Sequence, residues 1–331
     1  MTAAATSRTG VTARDVAAAE EGVRLDRWFR RNYPQIGFGR LAKLLRTGQV
    51  RVDGKRAKPG QRLVAGQSIR VPPLDEADAA PAGRQRAPVA VTEEDAQALH
   101  DAVLYQDDDI LVINKPSGLA VQGGSGTRRH LDGMLDTLQF EADERPRLVH
   151  RLDKDTSGVL VLARNAQAAA KLANLFRGRD VEKTYWALVV GVPNPARGEI
   201  SVALAKRPGR GGEKMAADAE EGRPAVTGYA IAEAVGGRMA WLVLHPRTGR
   251  THQLRAHCLE LGTPIVGDGK YGGAGAFIDG VANRLHLHAR KISFRHPGTG
   301  KRVTVEAPLT GHMAETWKFF GFDPNSILEH R

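Results

Sequence analysis

The sequence predicts a two-domain α+β protein whose larger, second domain is built on a mixed, largely antiparallel sheet. Its 331 residues leave room for about two ordinary domains. Residues 73–98 are rich in Ala, Asp, Glu and Pro and show no apolar period, which is typical of a flexible linker. In the longer part that follows, strand patterns outnumber helix patterns, and the regular alternation of parallel βαβ units is absent.

Composition limits the class of protein. With 41% hydrophobic and 26% charged residues, the chain has the composition of a soluble globular protein. No apolar run approaches the ~18–20 residues of a spanning helix, so no membrane association is predicted. The single cysteine, Cys258, excludes internal disulfides and predicts a cytoplasmic location. A net charge of +11 favours a polyanionic partner, most commonly nucleic acid, over a merely soluble basic protein.

The N-terminal segment, residues 1–20, lacks the apolar core of a secretory signal. Arg8 and Arg14 among Ser and Thr are typical of a mitochondrial transit peptide, but the segment is poor in large apolar residues. We therefore expect a disordered tail over residues 1–20, a small domain over 21–72, the linker over 73–98 and the second domain over 99–331.

The small domain combines two short helices with a hairpin. Apolar residues repeat at helical spacing in two stretches, namely Leu25, Trp28 and Phe29, then Leu41, Leu44 and Leu45. Gly48 is placed to end the second helix. "VRVDGKRAK" then alternates valines with basic residues around an Asp53–Gly54 turn, which is a hairpin signal. "SIRVP" adds a further short strand.

Basic residues are concentrated in this small domain. They include Arg40, Lys43, Arg46, Arg51, Lys55 and Arg56. Such a cluster attracts phosphates irrespective of base sequence and with a strong salt dependence. The alternative is a solvated charged face, but the shortage of acids in this window argues against it.

The second domain is read from its apolar runs in chain order. "AVLYQDDDILVINKPSGLAV" predicts a strand, an acidic turn and a second strand that ends at a Lys115–Pro116 break. "GVLVLA" predicts a buried strand, and "NAQAAAKLANLFRGR" predicts a helix ending at Gly178. "KTYWALVVG", "RMAWLVLHP" and "RVTVEAP" predict strands, with the helix "HQLRAHCLELG" between the last two.

These residues do not fit three common kinds of functional site. "DTSG" at Asp155 to Gly158 suggests an aspartic protease, but that chemistry needs a second such acid and none occurs. "HPGTGKR" departs from a phosphate-binding loop at two positions. His252 and His257 would lie about 140° apart around one helix, so no shared metal is predicted.

Asp153 with Arg151, the "KTY" segment around Tyr185, and "HPRTGRTHQLRAH" with Arg255 remain as candidates. Taken singly, each has a plain interpretation. Asp153 can be a turn-capping acid, Tyr185 a half-buried strand tyrosine and Arg255 a charge on a helix surface. Residue types and spacing alone therefore leave the site undecided.

The order and separation of six strings change this. They are "HRLDKDTSG", "KTY", "GRPAVT", "GRTHQLRAH", "PIVGDGKYG" and "LHLHA". Together they resemble the ribosomal large-subunit pseudouridine synthase family, and the small first domain resembles the S4 RNA-binding domain. The resemblance covers roughly Gly22 to Leu309. Ala256 and Arg223 stand where the family often has valine and lysine, and neither is expected to touch a reacting group.

The resemblance implies a reaction that detaches a uracil from C1′ of its ribose, turns it and rejoins it through C5, with no cofactor or metal. It implies that Asp153 is the catalytic carboxylate, which attacks C1′ or takes the C2′ proton. Arg255 would hold that carboxylate, and Arg151 would fill the gap left by the extruded base. Tyr185 would stack beneath the uracil and offer an oxygen for the C5 proton, while Leu287 would cover the other ring face.

The implied partner is large-subunit ribosomal RNA, with an assembling ribosomal particle as a further candidate, and the family suggests a monomer. A noncatalytic RNA-binding protein on the same fold is one alternative. A base-releasing N-glycosidase is another, but it would need a second acid to activate water. Asp153, Tyr185 and Arg255 favour the synthase over both.

Overall fold

The computed structural model describes residues 10–74, 91–123, 127, 129–178, 180–209 and 214–324. The chain divides into two compact units, residues 1–88 and 89–331, which are described separately. No helix within the described ranges is long and apolar enough to cross a membrane.

The first unit has two helices and a four-stranded sheet. The helices are α1 (Leu25–Asn32) and α2 (Phe38–Arg46), and the strands are β1 (Thr12–Asp15), β2 (Arg51–Val52), β3 (Lys55–Arg56) and β4 (Ser68–Val71). The strand order is β1-β4-β2-β3. Asp53 and Gly54 between β2 and β3 both have positive φ, 49° and 73°, which gives the hairpin turn that their sequence indicates. Apolar residues of both helices are buried against the sheet.

Two predicted boundaries differ in the structure. Strand β1 lies inside the expected tail, because its backbone pairs with β4 and Val16 is buried in the core of the first unit. Helix α3 (Glu93–Asp101) begins inside the expected linker, where the Thr92 hydroxyl accepts a hydrogen bond from the Asp95 amide at 3.1 Å. Residues 1–9 of the expected tail and 75–90 of the expected linker lie outside the described residues.

The second unit is built on a large mixed sheet. Its strands are β5 (Val103–Gln106), β6 (Ile110–Lys115), β7 (Arg147–Leu148), β8 (Ser157–Ala163), β9 (Glu182–Val190), β10 (Arg197–Ser201), β13 (Val226–Val235), β14 (Met239–Pro246), β15 (Leu287–Arg295) and β16 (Arg302–Glu306). The main order is β10-β13-β14-β9-β15-β8-β6-β5, with β16 beside β15 and β7 beside β8. Only β15 and β8 run parallel among the described pairs, so the prediction of a mixed, largely antiparallel sheet is confirmed.

The helices of this unit flank the sheet. Besides α3 they are α4 (Ala166–Arg177), α5 (Gln253–Glu260), the single turn α6 (Gly269–Gly272) and α7 (Gly311–Phe320), with short 3₁₀ turns at Leu131–Leu138 and Gly273–Ala276. A separate hairpin pairs β11 (Leu204–Arg207) with β12 (Lys214–Ala217). Helix α4 begins where the Asn165 side chain accepts from the Ala168 amide at 2.8 Å, and it ends at Gly178 as the sequence predicts.

Strand alternation decides which side chains face each layer. On β9, Trp186 and Leu188 pack with Trp241 and Trp317 on the α7 side of the sheet. The intervening residues Tyr185, Ala187 and Val189 pack on the side of α5. Tyr185 therefore lies on the sheet face that α5 covers.

Candidate active site

A cavity of about 330 Å³ opens in the second unit between the turn before β8, helix α4, strand β9 and the start of α5. It is lined by all five residues that the sequence predicts for this unit: Arg151, Asp153, Tyr185, Arg255 and Leu287. Residues separated by more than 130 positions in the chain thus meet at one site.

Hydrogen bonds from Thr156 and from the buried Lys115 stabilise the turn that carries Asp153. The Thr156 amide donates to the Asp153 carbonyl at 3.2 Å, and the fully buried strand β8 begins one residue later. The Lys115 ammonium donates to the carbonyls of Pro116, Leu119 and Lys154 at 2.8, 2.9 and 3.0 Å. Because Lys115 is fully buried, desolvation lowers its pKa to about 7. Lys115 thereby ties the "NKPSG" break to the residue that follows Asp153.

Arg255 holds a different carboxylate from the one expected. Its Nε and Nη2 donate to the two oxygens of Asp268, each at 2.7 Å, and its guanidinium lies 4.9 Å from the centroid of the Tyr271 ring. The Asp268 side chain is fully buried, so it needs a cation close by. Arg255 lines the cavity, but its planar fork is committed to Asp268 rather than to Asp153.

His252 is the basic side chain that lies against Asp153. Its Nε2 is 3.8 Å from the Asp153 Oδ2, and both side chains are about 20% exposed. His252 precedes α5 in the left-handed backbone region, with φ 51° and ψ 21°. Sequence reasoning placed His252 within the helix and considered it only as a metal ligand. The signal that could have indicated a role for His252 is its place in the motif, at the point where helix α5 begins.

Tyr185 and Leu287 form the apolar part of the cavity. They lie on paired strands, since Ala187 of β9 is in register with Leu287 and Tyr185 with Ala289 of β15. Burial and the nearby Asp153 carboxylate raise the pKa of Tyr185, so its hydroxyl stays protonated at neutral pH. The Tyr185 ring offers a flat apolar surface for stacking.

Cations line the remaining wall. Arg151 is exposed at the mouth, and Lys183 shares the strand face of Tyr185 two residues away, a relation that strand alternation could have predicted. The Lys183 Nζ lies 5.6 Å from the Phe176 ring, on which His150 stacks at 4.2 Å. Burial lowers the pKa of Lys183, and burial with the Lys183 charge lowers that of His150 to about 3.

The predicted RNA-binding residues of the first unit lie on α2 and its hairpin. Lys43, Arg46, Arg51, Lys55 and Arg56 are exposed, and Arg40 is half-buried. Arg51 bonds to the carbonyls of Gly48 and Gly54 at 3.1 and 3.0 Å, which fixes it across the hairpin. The five exposed residues keep a positive surface on this unit.

Across the described residues, no group of three or more His, Cys, Asp or Glu side chains could hold a metal ion. Asp153 is also the one carboxylate among the described residues that line the cavity.

Comparison with known proteins gives the class. Residues 109–260 match the family model described as RNA pseudouridylate synthase, and this span contains Asp153, Tyr185 and Arg255. The fold and the site therefore define an RNA-modifying isomerase. Ribosomal large subunit pseudouridine synthase C of Escherichia coli is 38% identical over 306 residues, covering 89% of this chain and 92% of the relative. An RNA pseudouridine synthase of Synechocystis is 33% identical, with 91% and 90% covered.

Solved structures agree with these relatives. Human RNA Pseudouridylate Synthase Domain Containing 4 matches with a TM-score of 0.56 and 31% identity, covering 67% of this chain and 94% of that one. Human RNA Pseudouridylate Synthase Domain Containing 1 matches with a TM-score of 0.52 and 29% identity, covering 67% and 95%. The chain belongs to the RNA pseudouridine synthase family.

Proposed function

We propose that this chain converts uridines of large-subunit ribosomal RNA to pseudouridine, with Asp153 as the catalytic carboxylate. The observation that carries this role is the position of Asp153 in the cavity, which it lines together with Tyr185 and Leu287 and without a second acid. The relatives that span this chain almost end to end include synthases named for the large ribosomal subunit, which supports this RNA as the substrate.

The proposed chemistry begins with cleavage of the bond between C1′ and N1, in which uracil leaves with the bonding electrons. A carboxylate stabilises the positive charge that develops at C1′. Asp153 then either forms an ester with C1′ or takes the C2′ proton to give a glycal. After the base turns, C5 bonds to C1′, and the carboxylate is restored as its ester bond breaks or as the C2′ proton returns to C2′. The C5 proton is then released to solvent, and N1 takes up a proton from solvent.

Hydrolysis of a glycosidic bond uses a second acid to activate water. No other described residue lining the cavity carries a carboxylate, so a water molecule at C1′ would lack the second acid that glycosidases use. This absence favours rejoining of the base over release of free uracil.

Extrusion of the uracil costs a few kcal/mol, which contacts in the pocket offset. Arg151, exposed at the mouth two residues before Asp153, is proposed to fill the vacated stack or to contact a phosphate. Tyr185 and Leu287 are proposed to enclose the two faces of the base. Arg255 is proposed to act on Asp153 only through its longer-range charge. Burial lowers the pKa of Arg255, but its hydrogen bonds to Asp268 and the negative charges of Asp268 and Asp153 raise it overall.

The first unit is proposed to be an S4-like RNA anchor that raises the effective concentration of substrate without reading bases. We further propose a cytoplasmic monomer that acts on ribosomal RNA or on an assembling ribosomal particle. The division into an RNA-binding domain and a catalytic domain is part of this proposal, with β1 belonging to the first and α3 to the second.

The test is tritium release from ribosomal RNA labelled at uracil C5, measured together with free uracil. A synthase releases tritium without free base, a glycosidase releases free base, and a noncatalytic RNA-binding protein releases neither. Asp153→Asn should abolish turnover while RNA binding persists. Asp155→Asn, an exposed acid in the same turn, is the matched control and should remain active. Full tritium release by Asp153→Asn would overturn the assignment of the catalytic carboxylate.

A substrate deuterated at C2′ separates the two routes. Removal of the C2′ proton before the base turns should slow the reaction measurably with deuterium, whereas direct attack on C1′ leaves that bond intact.

A further inference from the structure

The cavity wall beside Asp153 contains a hydrogen-bonded chain that reaches the hairpin β11–β12. The Met215 amide of β12 donates to the Tyr271 hydroxyl at 3.0 Å, and that hydroxyl is 3.0 Å from the Nδ1 of His252. The other ring nitrogen, Nε2, faces the Asp153 Oδ2 at 3.8 Å. Three groups from three separate segments therefore form a chain that leads to the predicted catalytic carboxylate.

The direction of this chain follows from counting donors. A tyrosine hydroxyl has one proton to give, and an amide can only donate. Since the Met215 N–H points at the Tyr271 oxygen, the phenolic proton is free to go to Nδ1 of His252. The neutral ring then carries its proton on Nε2, toward Asp153. The opposite tautomer would aim a nitrogen lone pair at a carboxylate oxygen and leave the phenolic proton without a described acceptor.

The surroundings keep this ring neutral. Burial lowers the pKa of His252, and the charges of Arg255 and Lys270 lower it further, against the opposing effect of Asp153 and Asp268. A neutral ring with a fixed tautomer presents one N–H to Asp153.

We propose, on the basis of the function proposed above, that His252 is a positioning residue that holds Oδ2 of Asp153 through its Nε2–H and so directs Oδ1 toward the ribose. Tyr271 and the Met215 amide set the tautomer. The 3.8 Å separation needs to close by less than one ångström to become a hydrogen bond, and catalytic hydrogen bonds often tighten when substrate binds.

Two substitutions at His252 separate this role from a structural one. In His252→Gln the amide nitrogen reaches the place of Nε2, whereas in His252→Asn it reaches only the place of Nδ1. Asn tolerates the left-handed backbone of residue 252 better than Gln does. A purely structural role therefore predicts that the Asn variant is the better enzyme, and the proposed role predicts the reverse.

The assay is single-turnover tritium release by the full chain on ribosomal RNA, with RNA affinity and thermal stability measured on each variant. We expect His252→Asn to lower the rate roughly tenfold to a hundredfold, the range for a hydrogen bond to a charged group. His252→Gln should recover most of that loss, and the Kd for RNA should be unchanged in both. Equal rates for Asn and wild type, equal losses in both variants, or the reverse order would each overturn the proposal.

Tyr271→Phe provides a second test, because it perturbs the chain without changing His252. It should reduce the rate several-fold in the wild-type background and not at all in the His252→Gln background, because an amide has no tautomer to fix. Additive losses would contradict the proposed chain. A wild-type protein that releases no tritium would instead overturn the proposed function itself, so the two failures are distinguishable.

Discussion

Replacement of Lys115 by methionine tests how the turn carrying Asp153 is supported. Lys115 is fully buried and donates three hydrogen bonds to carbonyls, and one of the accepting carbonyls belongs to Lys154, next to Asp153. Methionine has a similar length and no charge. At about 0.5–1.5 kcal/mol per hydrogen bond, the substitution removes about 2–5 kcal/mol of stabilisation. It also removes the unfavourable burial of a charged ammonium.

The second contribution depends on pH. Burial lowers the pKa of Lys115 from 10.5 to about 7, so between these values the unfolded chain binds a proton that the folded chain has released. Folding stability therefore rises with pH across this window and is lowest below pH 7. The slope approaches ~1.4 kcal/mol per pH unit, which amounts to about 2–3 kcal/mol between pH 6 and pH 9.

We therefore expect Lys115→Met to change stability little at pH 6 and to destabilise the protein by about 2–3 kcal/mol more at pH 9. Urea unfolding should be followed by tryptophan fluorescence in a Trp28→Phe background, where Trp186, Trp241 and Trp317 all report on the second unit. A stability difference that is flat with pH, or that shrinks as pH rises, would refute a buried Lys115 that gives up a proton near pH 7 in the folded chain.

Three further predictions concern the backbone, the buried ion pair and the RNA-binding surface. Gly158→Ala would place its Cβ 2.2 Å from a carbonyl oxygen of the parallel strand at φ 108°, so we expect a loss of about 3 kcal/mol or more in urea unfolding. Arg255→Lys keeps the charge but loses the paired bonds to Asp268, and should destabilise by about 3 kcal/mol. Lys43→Gln combined with Lys55→Gln should reduce the slope of log K against log salt for RNA binding by about 1.5, with the single-turnover rate at saturating RNA unchanged.

The strands of the second unit were predictable because each is a local apolar run. "ILVIN" and "GVLVLA" are buried along their whole length as β6 and β8, which is what an interior strand requires. The hairpin at Asp53–Gly54 was equally predictable, since both residues tolerate the positive φ that its turn needs. In these cases the decisive information lies within a few neighbouring residues.

The missed elements lack such a local pattern. Strand β1 is mostly polar, and backbone pairing with β4 holds it in place. Because this pairing uses main-chain groups, it leaves little trace in the residue types. Helix α3 begins with acids after Thr92, a start signal that the surrounding Ala, Asp and Pro obscure. A prediction based on composition alone therefore made both the tail and the linker too long.

The partners of charged side chains could not be predicted either. Arg255 and Asp268 stand 13 residues apart, and their pairing depends on how α6 folds back onto α5. The left-handed backbone of His252 turns its ring out of the helix toward Asp153. The motifs predicted which residues line the cavity. Which carboxylate each cation pairs with depends on the tertiary structure and could not be read from the sequence.

The glycine at the end of "HRLDKDTSG", Gly158, lies where strand β8 meets strand β15 next to that cavity. Ala289 of β15 lies in parallel register with Gly158, and the Ser157 hydroxyl bonds to the Nδ1 of His288 at 2.8 Å. A side chain at residue 158 would overlap the β15 backbone, so only glycine permits this close approach. The same contact sets Leu287, one residue before this register, beside the turn of Asp153. The glycine of the string therefore fixes the distance between the carboxylate and the apolar wall that is proposed to cover the base.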